Sequence, residues 1–152
     1  MSTSTCSLAT STAPVKGIHA GVNSVYGTVT VSPTLTASDV IKLCKLPDRA
    51  KVLGGKLGLV PGGGSLDLKV GYFRPVTSTD SGSLNDNAFL LSTSGSATAI
   101  YDLSDFAGFG LQVSASDDCV VKYWTIQAEV AAGGTHSAST IIKFRIDYLV
   151  ED

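Results

Sequence analysis

Side-chain alternation with a period of two, in short runs broken by turn residues, is the feature that most narrows what this chain can become. It is clearest near the end of the sequence. Ile142, Phe144, Ile146, Tyr148 and Val150 fall on one parity, and Lys143, Arg145 and Asp147 on the other. Successive side chains of a strand point to opposite faces, so this pattern describes a strand with one buried side. Its outward charges also suit protection of a sheet edge. The same period places Val25, Val29 and Val31 opposite Tyr26, Thr28 and Thr30. Leu66, Leu68, Val70 and Tyr72 alternate with Asp67, Lys69 and Gly71. Trp124, Ile126, Ala128 and Val130 share the inner face of the longest run, residues 119–130.

Turn chemistry separates these runs. Pro33 ends the first, and Leu46-Pro47-Asp48 ends the run beginning at Val40. Gly54-Gly55, inside residues 50–60, predicts a bulge or bend. Pro61-Gly62-Gly63-Gly64-Ser65 is a flexible turn, and residues 76–87 form a long polar loop. Residues 88–91 suit a strand or one helical turn, and residues 98–103 a strand. A short helical turn over 102–106 has Ser104 or Asp105 as its cap, and a tight bend fits 108–116. Residues 131–139 make a hairpin-like connection. Such even spacing of about eight to ten short strands predicts an all-β, single-domain antiparallel β-sandwich. Eight strands in two sheets make it a jelly roll. Residues 15–152 carry the sandwich. Residues 1–14 are rich in Ser and Thr and nearly uncharged, and read as a flexible, extended N-terminal arm. No internal repeat or linker divides the chain.

Composition excludes several functions. Only 16% of the 152 residues are charged and the net charge is -2, which argues against a nucleic-acid partner. Apolar runs reach about four residues, too short to span a membrane. The start lacks the basic and apolar segments of a signal peptide. Cys6, Cys44 and Cys119 are far apart and odd in number, as expected of reduced, half-buried thiols in a chain made in a cytosol.

Nothing in the pattern predicts an enzyme, a metal site or a cofactor. His19 and His136 lack a nucleophile-elbow serine to serve. The carboxylates at Asp80 and Asp86, Asp102 and Asp105, and Asp117-Asp118 fall at turns, where Asp is favoured for backbone reasons. Asp80, Ser81, Asn85, Asp86 and Asn87 offer oxygen donors to a cation, but without EF-hand spacing. Gly55-Lys56 is followed by Leu57, so the glycine-rich stretch is a bend rather than a phosphate loop. Trp124, Phe144 and Tyr148 are expected in the core. Tyr26, Tyr72, Phe73, Phe89, Tyr101, Phe106 and Phe109 are candidates for a sugar platform or a subunit contact. Phe106 and Phe109, around Gly108, are the pair expected to project from a loop.

A family likeness rests on residues 27–72. Asp39-Val40-Ile41 is followed by Leu46-Pro47, Arg49-Ala50-Lys51-Val52 and Leu68-Lys69-Val70-Gly71-Tyr72, and the closing strand spans 141–150. This resembles the small head-decoration, or cement, proteins of tailed bacteriophages, over about the central third of the chain. The motifs are strand-turn-strand signals. The Gly62-Gly63-Gly64 turn stands where that pattern has a more acidic turn, which puts a metal-like contact there in doubt.

The resemblance implies a structural virion protein, made in the host bacterial cytoplasm. It would sit as a homotrimer on the outer surface of an icosahedral capsid and stabilise the shell. Its partners would be the major capsid protein and its own copies, with no direct nucleic-acid or membrane contact. It also implies that the arm, Ser2, Thr3, Ser4, Thr5, Cys6, Ser7, Leu8, Ala9, Thr10, Ser11, Thr12, Ala13 and Pro14, contacts the capsid. The alternative is a carbohydrate- or receptor-binding β-sandwich module of a virion.

Overall fold

The structure is a computed structural model. It describes residues 3–5, 21–31, 35–62, 64–75, 82–90, 93, 97–103, 123–131, 135–136 and 139–150. The described elements are all strands: β1 (Thr3–Thr5), β2 (Asn23–Val31), β3 (Val40–Pro47), β4 (Ala50–Val60), β5 (Gly64–Ser65), β6 (Leu68–Pro75), β7 (Gly82–Leu90), β8 (Ala99–Asp102), β9 (Tyr123–Val130), β10 (Thr135–His136) and β11 (Thr140–Val150). They form a five-stranded sheet, β1-β3-β9-β6-β7, and a four-stranded sheet, β2-β11-β4-β8. A two-stranded ribbon pairs β10 with β5.

Eight strands carry the architecture: β2, β3, β4, β6, β7, β8, β9 and β11. Numbered afresh in that order, the four-stranded sheet runs 1-8-3-6, and the larger sheet, without β1, runs 2-7-4-5. That interleaving is the jelly roll, two Greek keys wrapped face to face. Among the eight, only β6 and β7 are both successive and paired in one sheet; the other links cross between sheets. The β3–β4 crossing is made by Asp48 and Arg49, with Arg49 at φ 59. All pairings are antiparallel except β1 with β3, which is parallel.

The alternating residues meet between the sheets. Val25, Val29, Val31, Leu57, Leu59, Ile142, Phe144, Ile146 and Tyr148 face Ile41, Leu46, Leu68, Val70, Trp124, Ile126, Ala128 and Val130, all of them buried. Trp124 anchors one end. Its indole N–H donates to the Pro47 carbonyl at 3.0 Å, and its ring meets Tyr72 edge-on at 5.7 Å. Tyr72 in turn lies 6.3 Å from the buried Phe89 ring.

Two bulges interrupt the alternation. In β4 the register against β11 slips at Leu53, beside the Gly54-Gly55 pair that predicted it. In β3 a slip against β9 lets neighbouring Leu43 and Cys44 both turn inward. The turn before β3 is tied by Asp39, whose buried carboxylate accepts the Thr36 N–H at 2.8 Å.

Three sequence expectations need correction. First, β11 is no edge strand: β2 and β4 flank it, so its outward charges face solvent across the sheet instead of guarding a rim. Second, the polar loop expected over 76–87 becomes strand from Gly82, because β6 offers an antiparallel partner that a local pattern cannot show. Third, residues 131–139 are not a hairpin; β9 and β11 lie in different sheets. The helical turn near 102–106, the bend at 108–116, His19, Cys6 and Cys119 lie outside the described residues, except Asp102 and Leu103. Cys44 is fully buried, where half-burial was expected, and forms no disulfide.

Candidate functional site

The two outer faces differ. On the five-stranded sheet two outward residues of the central strand β9, Thr125 and Gln127, are each only 4% exposed, and Tyr123 and Glu129 beside them are half-buried. Lys45 lies over the Tyr123 ring at 4.4 Å on this side. On the four-stranded sheet the outward residues stay open. Tyr26 is 75% exposed and Ile100 73%.

Register builds that open face row by row. Tyr26 of β2 stands opposite Arg145 of β11, Arg145 opposite Lys56 of β4, and Lys56 opposite Asp102 of β8. The next row reads Thr28, Lys143, Gly58 and Ile100. Four strands distant in sequence thus set an aromatic ring, three cations and an apolar side chain on one surface. Gly58 lacks a side chain where its neighbours are large, so the face dips there. The result is a shallow concavity of about 430 Å³, with a mostly apolar floor and lined by Lys56, Gly58, Val60, Ile100, Lys143 and Arg145, among others.

Charge within the face is partly balanced. Lys56 Nζ lies 3.2 Å from Asp102 Oδ2, and Arg145 Nη2 lies 3.0 Å from Asp147 Oδ2. The Ser24 hydroxyl donates to the other oxygen of Asp147. Both ion pairs are solvent-exposed and add little to stability. Lys143, among the described residues, is in neither pair.

The sites expected from sequence are distributed otherwise. Of the arm, only Thr3, Ser4 and Thr5 are described, as β1 along the outer edge of β3. Ser2, Cys6, Ser7, Leu8, Ala9, Thr10, Ser11, Thr12, Ala13 and Pro14 lie outside the described residues, as do Phe106 and Phe109. Of the oxygen donors, Asp80 and Ser81 also lie outside, while Asn85, Asp86 and Asn87 fall in β7. No group of three His, Cys, Asp or Glu side chains that could hold a metal occurs among the described residues. Of the aromatic candidates, Phe89 is buried, Tyr72 and Tyr101 pack partly on the core, and Tyr26 stands free of it. Sequence reasoning did not single out Lys56, Ile100, Lys143 or Arg145 as a site. A signal was present: Lys143 and Arg145 occupy outward positions of one strand in a sparsely charged chain.

Deep in the core, burial pushes the Tyr148 hydroxyl above its ordinary value, and the neighbouring Cys44 thiol adds to the shift. This places the pair among the packing residues, away from the open face.

The fold is that of a jelly-roll β-sandwich. No protein-family profile and no curated protein matches the chain. Solved structures do. A chain in the capsid of Ralstonia phage GP4 superimposes with a TM-score of 0.71 at 19% identity, covering 91% of this chain and 90% of that one. A chain in the cyanophage Pam1 capsid asymmetric unit gives 0.58 at 21% identity, with 91% of each chain covered. A chain in the acid-stable capsid of Helicobacter pylori bacteriophage KHP30 gives 0.50 at 15% identity, covering 85% of this chain and 89% of that one. At these identities the likeness establishes a shared fold.

Proposed function

We propose that this chain is a structural protein of a phage virion. It binds the outside of an icosahedral capsid as a homotrimer and stabilises the shell. The observation that carries this reading is the two-way coverage of the fold. The matched chain in the Ralstonia phage GP4 capsid is spanned over 90% of its length by 91% of this one. The match is therefore to a small single jelly roll of this size, rather than to one domain of a large shell subunit. The family resemblance read from residues 27–72 points the same way. A decoration role needs surface complementarity repeated by symmetry, not reactive groups. The arm, residues 1–14, supplies the attachment to the major capsid protein, and the sandwich, residues 15–152, supplies the trimer.

Two measurements test the reading. Light scattering on a size-exclusion column is expected to give three times the chain mass of 15.6 kDa. Shells of the parent phage prepared without this protein are expected to bind it and to survive heating better once bound. Deletion of residues 2–14 is expected to leave the domain folded and weaken that binding. Shells that neither bind the protein nor gain heat resistance would overturn the function. Unchanged binding by the truncated chain would overturn the role of the arm.

A further inference from the structure

We propose that the concavity around Gly58 binds a carboxylated oligosaccharide, with Lys143 receiving the carboxylate.

Three observations select this ligand class. The first is size. A volume of about 430 Å³ falls in the range of small-molecule sites, roughly 300–1,000 Å³, and holds a short run of sugar rings. The second is the pattern of polar groups. Sugar hydroxyls both donate and accept. The rim offers cationic donors at Lys56 and Arg145 beside the acceptor oxygens of Asp102 and Asp147. These pairs are exposed, so a ligand hydroxyl exchanges for water at little energetic cost. The third is charge. Among the described residues of this face, three cations meet two carboxylates, and Lys143 is in neither ion pair. An anionic group satisfies it. The Ile100 side chain and the Gly58 floor give the apolar surface on which a sugar ring's C–H face rests.

The chain's net charge of -2 makes indiscriminate attraction to a polyanion unfavourable, so retention on one reports a local site. The test is chromatography of the whole chain on immobilised polygalacturonate, with fully methyl-esterified polygalacturonate as the uncharged matrix of the same backbone. Wild type is expected to be retarded on the first and to elute earlier from the second. Lys143→Glu is expected to weaken retention about tenfold or more. Lys42→Glu, the same charge change on the other sheet, is expected to leave it unchanged. Gly58→Val fills the dip without altering charge, and is expected to abolish retention while the melting temperature holds. No retention of wild type, equal loss with Lys42→Glu, unchanged retention of Gly58→Val, or stronger retention on polyglutamate than on polygalacturonate would each overturn the proposal.

Discussion

Gly55→Ala is the sharpest probe of the architecture, because the structure supplies both the clash and its control. Gly55 has φ 156, and a Cβ built there sits 2.1 Å from the Arg145 carbonyl oxygen and 3.1 Å from Ile146 Cα. Both contacts are backbone of β11, so no side chain can swing aside. Real Cβ atoms essentially never come within 3.0 Å of such a neighbour. The backbone must therefore give by about an ångström in a close-packed interior. β11 is held on its far side by β2, and Gly55 itself accepts the Leu103 N–H at 3.0 Å. Relief therefore loosens one or two hydrogen bonds, each worth about 1 kcal/mol, and backbone strain adds about 1–3 kcal/mol. Alanine recovers only about 0.4–1 kcal/mol through the unfolded chain. The net expectation is a loss of about 3 kcal/mol, or roughly 6–12 °C in melting temperature for a chain this size. Gly58→Ala is the control, since its Cβ meets only Lys143 Cβ at 3.7 Å and the Lys143 carbonyl at 3.8 Å, ordinary contacts. It is expected to stay within about 0.5 kcal/mol of wild type. Urea unfolding followed by the fluorescence of Trp124 reads both. A Gly55→Ala midpoint matching wild type, or an equal loss from both variants, would refute the reasoning.

Three further outcomes follow from the packing. Trp124→Ala, at a side chain only 1% exposed, is expected to cost about 3–5 kcal/mol by urea unfolding monitored by circular dichroism. Asp39→Ala removes the acceptor for the Thr36 amide at 2.8 Å and its hydroxyl at 3.2 Å, and is expected to cost about 1–3 kcal/mol in the same assay. Tyr148 is pushed above 10.0 in the folded chain by burial, with Cys44 adding. The unfolded chain therefore loses that proton first, so the stabilisation is full below pH 10 and is lost as pH climbs through the folded value. Tyr148→Phe is expected to show a shallower alkaline loss of stability than wild type in melts taken on either side of that pH.

Much of the sandwich was legible because alternation is a local property. Val25, Val29 and Val31, or Ile142 through Tyr148, announce a buried face whatever lies across from them. The Gly54-Gly55 bulge was legible for a similar reason, since glycine marks backbone that a side chain would obstruct. β7 was missed because GSLNDN carries turn residues and becomes strand only beside β6. The bulge in β3 was missed because Leu43 and Cys44 have no glycine to betray it. The open face was half legible: the outward parity of Lys143 and Arg145 was plain, their neighbours were not.

The sequence alone determined that this is an all-β chain, which side of its regularly alternating runs turns inward, and where several strands end. Those features follow from the period of the strand and from the φ preferences of proline, glycine and aspartate, which act within a few residues. Only the tertiary structure decided that β11 lies between β2 and β4, that β1 runs parallel to β3, and that Tyr26, Arg145, Lys56 and Asp102 form one row. Each of these pairs residues far apart in the chain. An edge strand and a central strand can carry the same alternation, so the choice between them is made by which faces bury together, and by the hydrogen bonds that neighbouring strands then complete.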